Sequence, residues 1–97
     1  IMAINLTVIL KSKPESIEAM KTLLMDLVQK STKEAACVQY DLHQSVEDLE
    51  VFIFHEVWKS EAGLKLHNEQ SYLISFFENS KPLLQEAPIV YRTDKLE

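Results

Sequence analysis

Phe52-Ile53-Phe54-His55-Glu56-Val57-Trp58-Lys59-Ser60-Glu61-Ala62-Gly63-Leu64-Lys65-Leu66-His67 joins two periodicities in sixteen residues. Through Trp58 the side chains alternate with the period of two that marks a strand. Phe52, Phe54, Glu56 and Trp58 share one face, and Val51, Ile53, His55 and Val57 the other. Ser60 then suits a helix N-cap, with Glu61 favourable in the first turn. On that helix Leu64 and His67, with Leu66 as a further candidate, are expected to point inward, His67 nine residues past the tryptophan. An acid, an indole and an imidazole therefore gather around one strand-to-helix corner.

The strand has two apolar faces. Burial on both sides is expected in a parallel sheet, or in an antiparallel sheet with helices on one face and another cover on the other, and the chain is too short for a second helical layer. A second copy is the economical cover, so a homodimer joined through its sheets is expected.

Before this strand, Cys37–Ser45 alternates as well, with Val38, Tyr40 and Leu42 on one face and Cys37, Gln39, Asp41 and His43 on the other. The acidic link Val46-Glu47-Asp48-Leu49-Glu50 reads as a solvated turn, and the pair as an antiparallel hairpin. Met2, Ile4, Leu6, Val8 and Leu10 place the core face of a first strand, with Asn5 on its other face. Ser12-Lys13-Pro14-Glu15 predicts a helix start capped by Ser12. Ile17, Met20, Leu24, Leu27 and Val28 carry that helix to about Glu34. Beyond the corner, Ser71 is a candidate cap for a further helix anchored by Tyr72, Ile74, Phe77 and Leu84, broken near Pro82. Pro88 opens a last strand, Ile89–Thr93. The order is β-α-β-β-α(α)-β, an α+β ferredoxin-like split β-α-β arrangement, read as one domain over 1–97.

Composition narrows the function. A formal charge of −5 with scattered Lys and Arg argues against nucleic acid. One glycine in 97 residues excludes phosphate-cradling glycine loops. No run approaches a membrane span, no signal-peptide pattern opens the sequence, and a lone cysteine suits a reducing compartment. A cytoplasmic location is expected.

Among residues able to carry chemistry, His67 leads, because an imidazole exchanges protons near neutral pH. Trp58 offers a flat wall and one N–H donor. Glu56, between Phe54 and Trp58 on its face, must be paired, hydrogen-bonded or raised in pKa, and Arg92 is a candidate partner. Tyr40 and Tyr72 can hydrogen-bond a ligand, and Asn5 is the only amide in its strand. His43, His55 and His67 recur at twelve-residue spacings that match no local metal motif, so no metal site is expected. Cys37 reads as an inert thiol.

Read as Phe54-x-Glu56-x-Trp58-x-Ser60-Glu61-Ala62-x-x-x-x-His67, with Tyr40 on the preceding strand and Pro88-x-Val90 closing the chain, the sequence resembles the antibiotic biosynthesis monooxygenase (ABM) domain family. The resemblance implies a ferredoxin-like fold paired into a dimeric β-barrel, with a pocket between sheet and helices. It also implies oxidation of a small aromatic quinol or phenol by dioxygen, with no metal or flavin cofactor. By match to the motif, His67 would hold or deprotonate the substrate hydroxyl, Trp58 would wall the site and Asn5 could bind an oxyanion. Tyr72, Glu56, Phe54 and Phe77 would contact substrate. Haem-degrading relatives carry an aromatic where His67 stands and a histidine ligand about where Phe77 lies, so haem chemistry does not fit. The same fold also serves isomerases or degrading enzymes for autoinducer-type signalling metabolites, and non-catalytic ligand-binding modules.

Overall fold

In the computed structural model, residues 3–97 are described; the expected place of Met2 on the first strand lies outside them. The strands are β1 (Ile4–Lys11), β2 (Cys37–Gln44), β3 (Val51–Trp58) and β4 (Ile89–Thr93), and the helices α1 (Ile17–Ser31), α2 (Glu61–Asn68) and α3 (Ser71–Ser80). The sheet runs β2-β3-β1-β4 with every neighbouring pair antiparallel. This is the split β-α-β order expected from the alternation and the hairpin. No helix among the described residues is long and apolar enough to cross a membrane.

Register explains which side chains meet. Ile4 lies opposite Trp58, Leu6 opposite Glu56, Val8 opposite Phe54 and Leu10 opposite Phe52. These eight residues form one face, and the helices close over it. Leu10, Tyr40, Phe52, Phe54 and Trp58 from the sheet pack with Met20, Leu24 and Leu27 of α1 and Leu73 and Phe76 of α3. Each large side chain taken out of water there contributes roughly 1.5–3 kcal/mol. The opposite face carries Asn5, Thr7, Ile9, Ile53, His55 and Val57, none of them fully buried.

Four local expectations are corrected. Ser12 does not cap a helix: it is fully buried in an isolated bridge to Leu84, and its hydroxyl has no partner among the described residues. A single turn at Pro14–Ser16 precedes α1, which has no side-chain cap. Second, α1 ends at Ser31 rather than Glu34, which leaves Glu34 in a loop and free to turn inward. Third, a bulge between Cys37 and Gln39 breaks the β2 alternation, so Val38 is exposed while Cys37 packs against the core. Fourth, α3 begins at Ser71 instead of being capped by it, and the helix buries Leu73 and Phe76 while Ile74 and Phe77 are about half exposed. Its apolar residues are too crowded for periodicity to choose the inward set.

The strand-to-helix corner forms as read. The Ser60 hydroxyl accepts a hydrogen bond from the Gly63 N–H at 3.1 Å, and α2 begins at Glu61. Around Pro82 the chain tightens into one turn after α3, which ends at Ser80. In the hairpin, Asp48 organises the turn by accepting from the Glu50 N–H, while its own N–H bonds to Ser45.

Candidate functional site

Gly63, the only glycine, explains how the site is assembled. A Cβ at this position would collide with the Cβ of Ala36, so α2 and the loop after α1 approach as closely as backbones allow. Lys59 N–H donates to Ala36 O at 2.9 Å and ties the same loop to the end of β3. Held there, Glu34 reaches His67 one turn along α2, with Nδ1 to Oε2 at 2.6 Å. The Tyr72 hydroxyl donates to the same carboxylate oxygen. Little of this pair meets solvent: the side chains of His67 and Glu34 are 4% and 13% exposed. A hydrogen bond to a carboxylate gains strength when water is excluded. Because the carboxylate accepts, Nδ1 carries the hydrogen, and in the neutral form of the ring Nε2 is the acceptor.

Behind the imidazole lies Trp58, fully buried, with ring centroids 4.3 Å apart and planes tilted by 34°. Tyr40 meets both rings edge-on, at 5.8 Å from His67 and 6.1 Å from Trp58. The Trp58 indole N–H donates to Glu56 Oε1 at 2.9 Å. Burial pushes the Glu56 carboxyl up to about 7, against the opposing effect of that indole bond. Burial, and after it the charge of Glu56, raises the Tyr40 hydroxyl well above its usual range, so it stays protonated as a donor.

His67, Glu56 and Tyr40 face a cavity of about 340 Å³ between the sheet and the helices. Its remaining wall is largely carbon: Leu6, Val8 and Phe54 from the sheet, Leu73, Phe76 and Phe77 from α3, with Asn68 and Arg92 also contributing. A mostly apolar cavity with a few convergent polar groups is the usual form of a small-molecule site, at the lower end of the roughly 300–1,000 Å³ range. A larger groove of about 520 Å³ runs between α1 and β2, past Met25 and His43, and contains neither His67 nor Glu56. His67 and Glu56 come together on the smaller cavity.

The residues singled out from sequence divide clearly. His67, Glu56, Phe54 and Phe77 line the cavity. Trp58 does not; it backs His67 and holds Glu56. Tyr72 also lies off it, behind Glu34, where burial, and next its bond to Glu34, raises its hydroxyl. Asn5 lies opposite Val57 on the other face of the sheet, so it does not converge with His67. Arg92 donates to Glu61, not to Glu56. His43 and His55 meet on the outer face, with ring centroids 5.5 Å apart. No group of three or more metal-ligating side chains occurs among the described residues. The Cys37 thiol is raised by burial and then by Glu34. Glu34 was missed because nothing local marks it: its partner is 33 residues away, and it stood at the expected end of the first helix, which stops at Ser31 instead.

The antibiotic biosynthesis monooxygenase (ABM) family model matches residues 4–79. The YcnE protein of Bacillus subtilis (strain 168) is 38% identical over 88 residues, which span 91% of this chain and 93% of YcnE. The crystal structure of PA3566 from Pseudomonas aeruginosa superposes with a TM-score of 0.93 at 30% identity, covering 100% of this chain and 97% of that one. A crystal structure of an antibiotic biosynthesis monooxygenase superposes at 0.91 with 25% identity, covering 99% of this chain and 100% of that one. With the sheet order, the matched span and these relatives in agreement, the chain belongs to the antibiotic biosynthesis monooxygenase family.

Proposed function

We propose that this protein is a monooxygenase that oxidises a small aromatic quinol or phenol with dioxygen, in the cavity between sheet and helices. The observation that carries this reading is His67. Its Nδ1 is held by Glu34 at 2.6 Å, and the ring opens on a mostly apolar cavity. An imidazole fixed in that tautomer accepts the substrate hydroxyl proton at Nε2, and the Glu34 carboxylate stabilises the imidazolium that results. The phenolate is electron-rich enough to give one electron to dioxygen, so the substrate itself is the reductant and no bound cofactor is required. Recombination of the radical pair forms a carbon–oxygen bond at a ring carbon, and His67 returns its proton to the peroxide. Loss of water from that ring hydroperoxide leaves a carbonyl. Overall, one ring C–H and one O–H are exchanged, with dioxygen, for a quinone carbonyl and water. Trp58 and Tyr72 act here as positioning residues, one stacked on the imidazole and the other bonded to its carboxylate partner.

Oxygen uptake with a panel of quinols tests the reading. Wild type is expected to consume oxygen, and His67→Ala to lose about 10²–10⁴-fold in kcat/KM. Equal turnover in both proteins, or none in either, removes the catalytic assignment. In the same reading a second copy covers the outer sheet face, where Ile9, Ile53, Val57, Ile89 and Tyr91 make an apolar surface, the last two being 39% and 54% exposed. Sedimentation velocity checks this: a species of single-chain mass at micromolar concentration overturns the dimer.

A further inference from the structure

We propose that Glu56 is a second catalytic residue of this cavity, removing the carbon-bound proton of the ring hydroperoxide and handing it to the departing hydroxide. This rests on the quinol-oxidation reading above. That reaction contains two proton transfers of different kinds. His67 serves the oxygen atoms, taking the phenol proton and returning it to the peroxide. The last step needs a base at carbon: the C–H electron pair becomes the carbonyl, the O–O bond breaks, and hydroxide leaves. One proton added to that hydroxide completes water, and the carboxylate is regenerated.

The geometry places a suitable group for this step. Glu56 lies on β3 and lines the same cavity as His67. Its Oε1 accepts the Trp58 indole N–H, while Oε2 has no hydrogen-bond partner among the described residues and is not sealed from the cavity. The same indole stacks on His67, so a single ring holds the imidazole and the carboxyl at one end of the space. Arg92, which also lines the cavity, is engaged by Glu61, and Glu56 has no ion pair among the described residues. A glutamine would satisfy the indole equally well, so a purely structural role does not call for an acid here. With burial pushing it up to about 7, the carboxyl can both accept and release a proton near neutrality.

The test uses 1,4-dihydroxynaphthalene, for which hydroxylation with dioxygen gives 2-hydroxy-1,4-naphthoquinone and water. Glu56→Gln keeps the acceptor for Trp58 and is expected to form product about 10²–10³-fold more slowly. A peroxide-reactive adduct should build up in acid-quenched samples, and deuterium at carbons 2 and 3 should slow the variant further. Glu56→Asp retains the acid one methylene back and is expected to lie in between; it decides the matter if the glutamine variant does not fold. Product formation at the wild-type rate in either folded variant overturns the role of Glu56 alone. Loss of oxygen uptake together with product, without the adduct, overturns it too, since the block then precedes elimination. Absence of oxygen uptake in wild type overturns the reaction itself, and this assignment with it.

Discussion

The two faces of the sheet are built from the same strands and have opposite chemical fates. Glu56 and His55 are neighbours in sequence and both titratable. Glu56 turns inward, is 6% exposed, and is bonded to a buried indole. His55 turns outward, is exposed, and has one long contact to Thr7 at 3.4 Å. Similarly His67 is held by a carboxylate and stacked on Trp58, whereas His43 and His55 meet each other at the exposed face, with no carboxylate partner among the described residues. Residue type does not separate these groups. The side on which strand parity or helix phase places each one does, because desolvation and fixed partners exist on only one side.

The largest effect that can break this comparison comes from Trp58. Trp58→Ala should lose about 3–5 kcal/mol of unfolding free energy, independent of protein concentration. Ile53→Ala on the outer face should lose roughly 1 kcal/mol, and the loss should depend on concentration if a second copy covers that face. Urea titrations at two protein concentrations distinguish the two faces, and equal losses would erase the distinction.

Next comes the pH dependence. Glu56 rises from 4.5 to about 7 on folding, so the folded state keeps its proton where the unfolded chain has lost it. Its stabilising contribution is complete below about 4.5 and disappears as pH rises through 7. Relative to Glu56→Gln, wild type should therefore lose on the order of 3 kcal/mol between pH 4.5 and 8. A constant difference across that window would show that Glu56 is not desolvated.

Smaller still is Gly63→Ala. Overpacking against Ala36 costs about 1–3 kcal/mol, partly offset by up to about 1 kcal/mol of helix propensity. Thermal unfolding should show a net loss that Ala36→Gly, added to it, recovers in part. The smallest effect is expected at Asn5: Asn5→Ala should leave quinol turnover within about threefold of wild type, since its face lacks the cavity. A drop as large as that of His67→Ala would mean that the outer face takes part in the site.

Much of the fold was legible in particular residues. Parity in Ile4–Leu10 and Phe52–Trp58 placed the strands and their buried faces, Ser60 marked the corner, and Pro82 and Pro88 marked the breaks. The errors arose where a local signal had a tertiary competitor. Ser12 resembled a cap but was drawn into a bridge with Leu84. Val38 fitted the alternation until a bulge turned it out. Phe77 and Ile74 looked as apolar as Leu73 and Phe76, and only the sheet beneath chose between them. The inward place of His67 was readable from its position on the helix that follows Trp58. The same parity that put Asn5 on the outer face already separated it from that histidine.

Sequence by itself determined the element order, the sheet's two faces and the presence of an imidazole over the strand-to-helix corner, because these follow from periods of two and 3.6 and from short-range capping. Only tertiary structure decided what that imidazole can do. Glu34 reaches it across 33 residues because Gly63 admits Ala36, and Glu56 becomes an acid of near-neutral pKa because the helices remove water from one face of the sheet. Partners and desolvation come from contacts distant in the chain, which periodicity and local spacing do not encode.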